Sequence, residues 1–238
     1  MKTFPQAHSE MFHAKSEGEY LADFVYGAND GIITTFAVVS GAVGAGLPTH
    51  VIIILGLANL VGDGISMGLS NFLSLRSKKS FEAREREREV YEVEKFPVEE
   101  KKEVEDIVER WGIRGEHATV FVNDIISDKK RWVDFMMREE LNIFEDPNDK
   151  PAMHGLVTFV AFLIAGMLPL IPYVFGVPTA SQFTVSIIAT AISLFVVGAS
   201  RSLVINQKWF RSGLEMLLVG GLAAGAAFLI GGFVQSIV

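Results

Sequence analysis

The sequence of 238 residues contains no cysteine, so disulfides and thiolate metal sites are excluded and the redox compartment leaves no mark on it. Histidine is sparse, and only His117 falls in the charged middle of the chain. Basic residues are outnumbered: a net charge of −7 argues against nucleic acid as a partner. The first 20 residues lack the apolar run of a cleavable signal peptide. Charge is also nearly missing from both flanks. Of 28 acidic residues 21 lie between Arg76 and Lys150, as do 16 of the 21 basic ones. Such a distribution describes an aqueous segment inserted between membrane segments.

What the flanks do hold is long apolar runs. Leu21–Leu47, Val51–Leu75, His154–Phe175, Thr179–Ser200 and Ser212–Val238 are each long enough to cross a bilayer as a helix. The sequence therefore predicts an all-α membrane protein. Five transmembrane helices carry a three-helix cytoplasmic domain inserted between spans two and three. Residues 1–20 form a cytoplasmic leader, 21–77 the first two spans, 78–150 the inserted domain and 151–238 the last three spans. Lys and Arg are missing from the turn at Pro48, from the turn around Pro172–Pro178 and from the C-terminal tail. The basic segments then all fall on one side, which puts the N-terminus and the inserted domain in the cytosol. Gly27/Gly31 and Gly64/Gly68 are small-residue pairs at helical spacing that permit close helix approach.

Two clusters carry chemistry. In the second span Asn59, Asp63, Met67, Ser70, Asn71 and Ser74 recur at steps of three or four, so they share a helix face. At 1.5 Å per residue this stripe runs about 22 Å. Asp23, Tyr26, Asp30 and Thr34 step along one face of the first span in the same way. Carboxylates in a spanning segment are functional by default, which singles out Asp30 and Asp63. Met67, one turn from Asp63, adds a softer thioether to an oxygen-rich path and favours a transition metal over Na+, Mg2+ or Ca2+. The plain alternatives are Met67 as core filler and Asp30 as a polar group near the interface.

The second cluster is aqueous. Glu89 and Glu92 precede Pro97, and Glu100 and Glu103 follow it, each pair at i,i+3. Proline breaks the helix, so the two pairs can face each other in a hairpin and share a cation. The alternative is a solvated charged face, in which Arg84, Arg86 and Arg88 interleave with the glutamates. Beyond it, Val104, Ile107, Val108 and Trp111 mark a second helix ended by Gly112, and a third is predicted over residues 116–142. Met136 and Glu140 are i,i+4 neighbours on it. Near the N-terminus Glu10 and His13 have the Glu-x-x-His spacing of di-iron bundles, which alone is as readily an amphipathic surface segment.

These residues carry a resemblance. Tyr26-Gly27-Ala28-Asn29-Asp30-Gly31, the Ser66-Met67 pair and Met136-Met137-Arg138-Glu139-Glu140-Leu141 occur in that order around a Glu-rich insert. In this the chain resembles the vacuolar iron transporter family of iron and manganese transporters from Asp23 to Val238. The resemblance implies a homodimer of five-span subunits that exports Fe2+ from the cytosol in exchange for protons. It implies no prosthetic group, the metal being substrate. Asp30 and Met67 match the family's metal-handling positions in the membrane. Glu89, Glu92, Glu100, Glu103, Met136 and Glu140 match the ligands of its cytoplasmic metal-binding domain. One departure stands out: the family's usual glutamate after Ser-Met is replaced here by Asn71. Asp63, two turns away on the same stripe, is the expected substitute.

Two other function classes fit parts of the pattern. A membrane-anchored di-iron ferroxidase would use the same glutamates, but lacks the Glu-x-x-His motifs in the inserted domain. A metal sensor would need no polar stripe in the membrane. Carboxylates and methionine do not separate Fe2+ from Mn2+, Co2+ or Zn2+. An integral multi-pass protein of this kind belongs to the plasma membrane of a prokaryote or to the vacuolar membrane of a eukaryote.

Overall fold

The computed structural model describes residues 14–146, 149–203 and 208–237. Glu10 and His13 lie outside them. Every regular element among the described residues is a helix, and there are no strands among them. The chain divides into two compact units. One takes in the chain up to Leu73 and again from Lys150; the other is Ser74–Asp149.

The first helix, α1, is Ala14–Gly44, and α2 is a single 47-residue helix, Thr49–Lys95. No proline interrupts α2, so the apolar stripe and the charged glutamate repeat form one element. It ends where Phe96, the residue before Pro97, leaves the helical region at φ −128° and ψ 47°. Proline then opens α3, Pro97–Arg110, with Glu99 and Glu100 in the first turn, where the helix dipole favours acidic groups. Gly112 at φ +82° turns the chain out of it.

The helix predicted over 116–142 is instead two: α4, Glu116–Ile126, and α5, Lys129–Glu139. Asp128 adopts extended backbone, and its carboxylate accepts the backbone N–H of Arg131 at 2.8 Å. A side chain that caps the next helix competes with continuation of the previous one, and here capping prevails. The three-helix expectation is corrected accordingly: the second unit packs the end of α2 with three further helices. Its apolar core joins Val93, Val104, Ile107, Val108, Val122, Ile125, Trp132, Val133, Met136 and Met137.

In the other unit, α6 (Pro151–Gly166) is followed by a 3-10 turn at Leu168–Leu170 and the short α7, Ile171–Val174. Pro169 and Pro172 account for the break, because each removes a backbone donor. The buried Ser186 hydroxyl donates to the carbonyl of Pro169 at 2.7 Å. Two long helices complete the unit: α8, Thr179–Ser200, and α9, Trp209–Ile237.

Among the described residues, four helical stretches are long and apolar enough to cross a membrane: Thr49–Lys95, Pro151–Val174, Thr179–Ser200 and Trp209–Ile237. The predicted first span, α1, is not among them, although it has 31 residues. Asp23, Asn29 and Asp30 interrupt its apolar run. It nonetheless packs between other helices. Ala28 and Ile32 share a buried cluster with Ala161 and Ala165 of α6, Leu194 of α8 and Met216 of α9.

Glycine sets the closest approaches. A Cβ on Gly31 would meet the backbone oxygen of Phe162 at 2.5 Å, and one on Gly27 would strike that of Thr158. At the other end of α1, Gly44 abuts the backbone of Phe228, and Gly231 of α9 abuts that of Gly41. On α2, Gly68 faces the backbone of Gly155, and Gly64 faces the rings of Phe159 and Phe162. Backbones approach this closely only where side chains are missing.

Candidate metal path and glutamate cluster

In the unit formed by α1, α2 and α6–α9, Asp30, Asp63 and Met67 are all half-buried. Asp30 and Asp63 are brought together across two helices, close enough for the charge of Asp63 to act on Asp30. Thr34 donates its hydroxyl to the backbone oxygen of Asp30 at 2.9 Å, leaving the Asp30 carboxylate uninvolved in that bond. Two side-chain amide atoms nearby in sequence, Asn29 Oδ1 and Asn59 Nδ2, are buried with no hydrogen-bond partner. Buried polar atoms are normally paired, so Asn29 Oδ1 is an unused acceptor and Asn59 Nδ2 an unused donor. Oxygen, sulfur and amide groups thus line the apolar helices.

In Ser74–Asp149, Glu89 at the end of α2 and Glu100 at the start of α3 are 3% and 6% exposed. That is unusual for carboxylates, which are rarely buried unless paired. Each has one oxygen, Oε2, buried with no hydrogen-bond partner. Burial pushes the Glu89 carboxyl up to about 7, with the charges of Glu140, Glu100, Glu92 and Glu103 adding to it. Glu100 is also pushed up to about 7, first by burial and then by Glu103, Glu140 and Glu92. Glu140, which caps α5, lies above its ordinary value for the same reasons, desolvation first and then Glu103 and Glu92. The five glutamates therefore form one electrostatic cluster. Pro97 produces it by folding α3 back, so that i,i+3 pairs on two helices meet.

Arginine guards the edge of this cluster. Arg88 donates to Glu92 at 3.1 Å, and this bond raises the guanidinium above its usual range. Arg86 faces elsewhere, donating to Asp134 at 2.6 Å and to both oxygens of Glu145. Met136, one turn before Glu140, is fully buried in the apolar core. Among the described residues no three His, Asp or Glu side chains stand in a metal-holding group. The glutamates cluster by charge and burial without closing around a common point.

One polar assembly escaped the sequence reading. Asp23 of α1, Asn71 of α2, and His154 and Thr158 of α6 form a connected network. Asn71 Nδ2 donates to Asp23 Oδ1 and to Thr158 Oγ1, both at 2.8 Å. The other Asp23 oxygen takes His154 Nδ1, and the Thr158 hydroxyl donates to the His154 carbonyl at 2.9 Å. The Tyr20 ring lies 4.6 Å from the imidazole, centre to centre. The available signal was His154 itself, a titratable residue opening an apolar segment.

Comparison with known proteins extends this description. The model of one family, the VIT family, matches residues 21–232. A vacuolar iron transporter of Toxoplasma gondii is 34% identical over 237 residues, covering 95% of this chain and 78% of the relative. Vacuolar iron transporter 1 of Eucalyptus grandis is 35% identical, covering 92% and 88%. Its namesake in Arabidopsis thaliana is 33% identical, covering 92% and 87%.

Proposed function

The chain belongs to the VIT family, whose members are transporters and not enzymes, and from that premise we propose that it exports Fe2+ from the cytosol in exchange for protons. Mn2+ is a second substrate in this reading. The metal is cargo throughout, and the ferroxidase alternative falls with the family assignment.

The observation that carries the proposal is the pair Glu89 and Glu100, buried, each with an unpartnered oxygen and each pushed up to about 7. Carboxylates so placed bind protons near neutral pH and release them when a cation offers better neutralisation. Glu92, Glu103 and Glu140 complete an oxygen-rich collecting site. Met136 is the soft ligand in this reading and must leave the core to reach a metal. The insert gathers cytosolic metal and supplies a path made by Asp30, Asp63 and Met67, with Asp63 standing in for the carboxylate that Asn71 replaces. At this path, metal and proton compete for the same oxygens, which couples the two fluxes.

Five spans follow if α1 crosses with the four apolar helices. Asp23 and Asp30 are tolerated on it because both are half-buried against neighbouring helices. The N-terminus and the insert are then cytoplasmic, as the Lys and Arg distribution requires. The exposed apolar and half-buried polar residues of α2 give a second copy of the chain a surface to cover, which supports a homodimer.

The test is Fe2+ and proton flux in proteoliposomes under an imposed pH gradient. Wild type should couple the two. Asp30→Ala should abolish flux, and Glu100→Ala with Glu103→Ala should weaken it at low metal concentration. Tight metal binding without flux in the wild type would replace transport with sensing.

A further inference from the structure

The N-terminal half of α1 and the joint between α8 and α9 border a cavity of about 330 Å3, all within one unit. Leu21 and Val25 of α1 and Met216 of α9 give it apolar walls. Tyr26 and Asn29 of α1 add a phenol and an amide, and Arg201, the residue after α8, adds a positive charge. Tyr26 is 60% exposed, so the cavity reaches the surface of the unit. Among the described residues no carboxylate lines it, and neither does any part of α2, the helix on which a second copy is proposed to sit.

Arg201 is half-buried, yet among the described residues its guanidinium has no ion pair. A cation withdrawn from water is normally paired. Its height in the membrane follows from α8, whose 22 residues are apolar and span about 33 Å, close to the hydrocarbon thickness. Arg201 comes next in the chain and so stands at the level of the lipid headgroups. Aromatic rings mark the same level. Trp209 and Phe210, both exposed at the start of α9, lie edge-on to Phe195 of α8 with centres 5.8 Å apart. Such rings gather at the boundary between hydrocarbon and headgroups.

We propose that this cavity binds an anionic phospholipid, whose phosphate meets Arg201 and takes hydrogen bonds from Tyr26 and Asn29. A free phosphate would give up its water for a single cation and leave the apolar walls uncovered. A lipid supplies both parts: the phosphate neutralises Arg201, and the first methylenes of its chains cover Leu21, Val25 and Met216. The cavity is at the small end for a ligand site, so it takes one end of the lipid while the chains run out along the helices. With Arg201 uncompensated, a headgroup of net negative charge is favoured. The ammonium of a zwitterionic headgroup would find no carboxylate among the lining residues. A lipid held here ties the α8–α9 joint to α1 at Asn29, the residue before Asp30.

The test uses the full chain, stripped of lipid in a neutral detergent. Phosphatidylglycerol and phosphatidylcholine with the same acyl chains are added at equal concentration, and inorganic phosphate separately. Native mass spectra count bound lipids and chains, and melting temperature reports stabilisation, which a ligand of the folded state raises. Wild type should favour phosphatidylglycerol about tenfold or more, and Arg201→Gln should lose that preference, as expected for one charge-assisted contact. Ala22→Phe, at an exposed position that also lines the cavity, keeps the charge and fills the space; it should lose the same bound lipid. Arg211→Gln, exposed on α9, should bind as wild type does. A preference missing from wild type, or kept in Ala22→Phe, overturns the proposal, and Ala22→Phe decides alone if Arg201→Gln melts lower without lipid. An Arg201→Gln protein that is stable and keeps the preference overturns it as well. Equal loss in Arg211→Gln would mean diffuse surface charge, and protection by inorganic phosphate equal to that by lipid would mean a free anion; either overturns the lipid site. So would loss of a second chain, in place of lipid, from the spectra of Arg201→Gln.

Discussion

Asn71 and Asp23, 48 residues apart in sequence, meet with the amide as donor at 2.8 Å. The polarity of this bond is fixed, because an ionised carboxylate cannot donate. Asn71→Asp would set two carboxylates at hydrogen-bond distance and also remove the donor to Thr158. The variant should lose about 1–3 kcal/mol of stability, the usual result of leaving buried polar groups unpaired. Thermal melts in detergent, with Asn71→Ala alongside, are the measurement. An Asp variant as stable as wild type would mean that the amide does not hold Asp23.

Glu89→Gln separates the cost of the glutamate cluster from its use. The buried Glu89 carboxyl is raised first by desolvation and then by four neighbouring glutamates, so removing its charge relieves strain in the metal-free protein. At pH 8 without metal the variant should melt no lower than wild type. Its affinity for Fe2+ or Mn2+ should fall about tenfold or more, as expected when a charged ligand is lost. Calorimetric titration of the full-length protein measures this, and unchanged affinity would remove Glu89 from the site.

The same residues set a pH dependence. Glu89 and Glu100 sit at about 7 in the folded chain against 4.5 ordinarily, so the folded state binds more protons than the unfolded one between these values. Stability from these groups is therefore fully present below about 4.5 and is lost as pH rises through about 7. Metal binding runs the opposite way, because protons must leave first. Affinity should increase on the order of 10- to 100-fold from pH 6 to pH 8, with protons released in proportion. Titrations in buffers of different ionisation enthalpy count those protons, and a flat affinity across this range would contradict the shifted values.

Gly31→Ala should be poorly tolerated. The new Cβ would lie 2.5 Å from the backbone oxygen of Phe162, which cannot rotate away as a side chain would. Overpacking of this kind costs about 1–3 kcal/mol. Gly62→Ala, where nothing lies within 4 Å, is the matched control and should be neutral. Equal yields and melting temperatures for the two would deny the close helix contact.

How much of this could be read from the sequence varies by element. The helix end at Pro97 and the meeting of Glu89 with Glu100 were legible because proline geometry is local. Apolar length located α8, which spans Thr179–Ser200. The division at Asp128 was misread because the apolar residues of 116–142 keep helical spacing on both sides, and only the cap decides. The burial of Met136 followed its hydrophobic character; its spacing from Glu140 said nothing about depth. The His154–Asp23 contact spans 131 residues, and no local pattern predicts which turn of α1 meets which turn of α6.

The glycine contacts of α1 have a mechanical consequence. Where the backbone itself fills the gap, no rotamer change can take up a sliding or tilting motion. At Gly27 and Gly31 α1 is keyed to α6, and at Gly41 and Gly44 to α9. Asp30, between these points, is mounted on a three-helix block and not on a free rod. Opening a route past it would shift that block whole, with hinges in the connecting turns and none within α1.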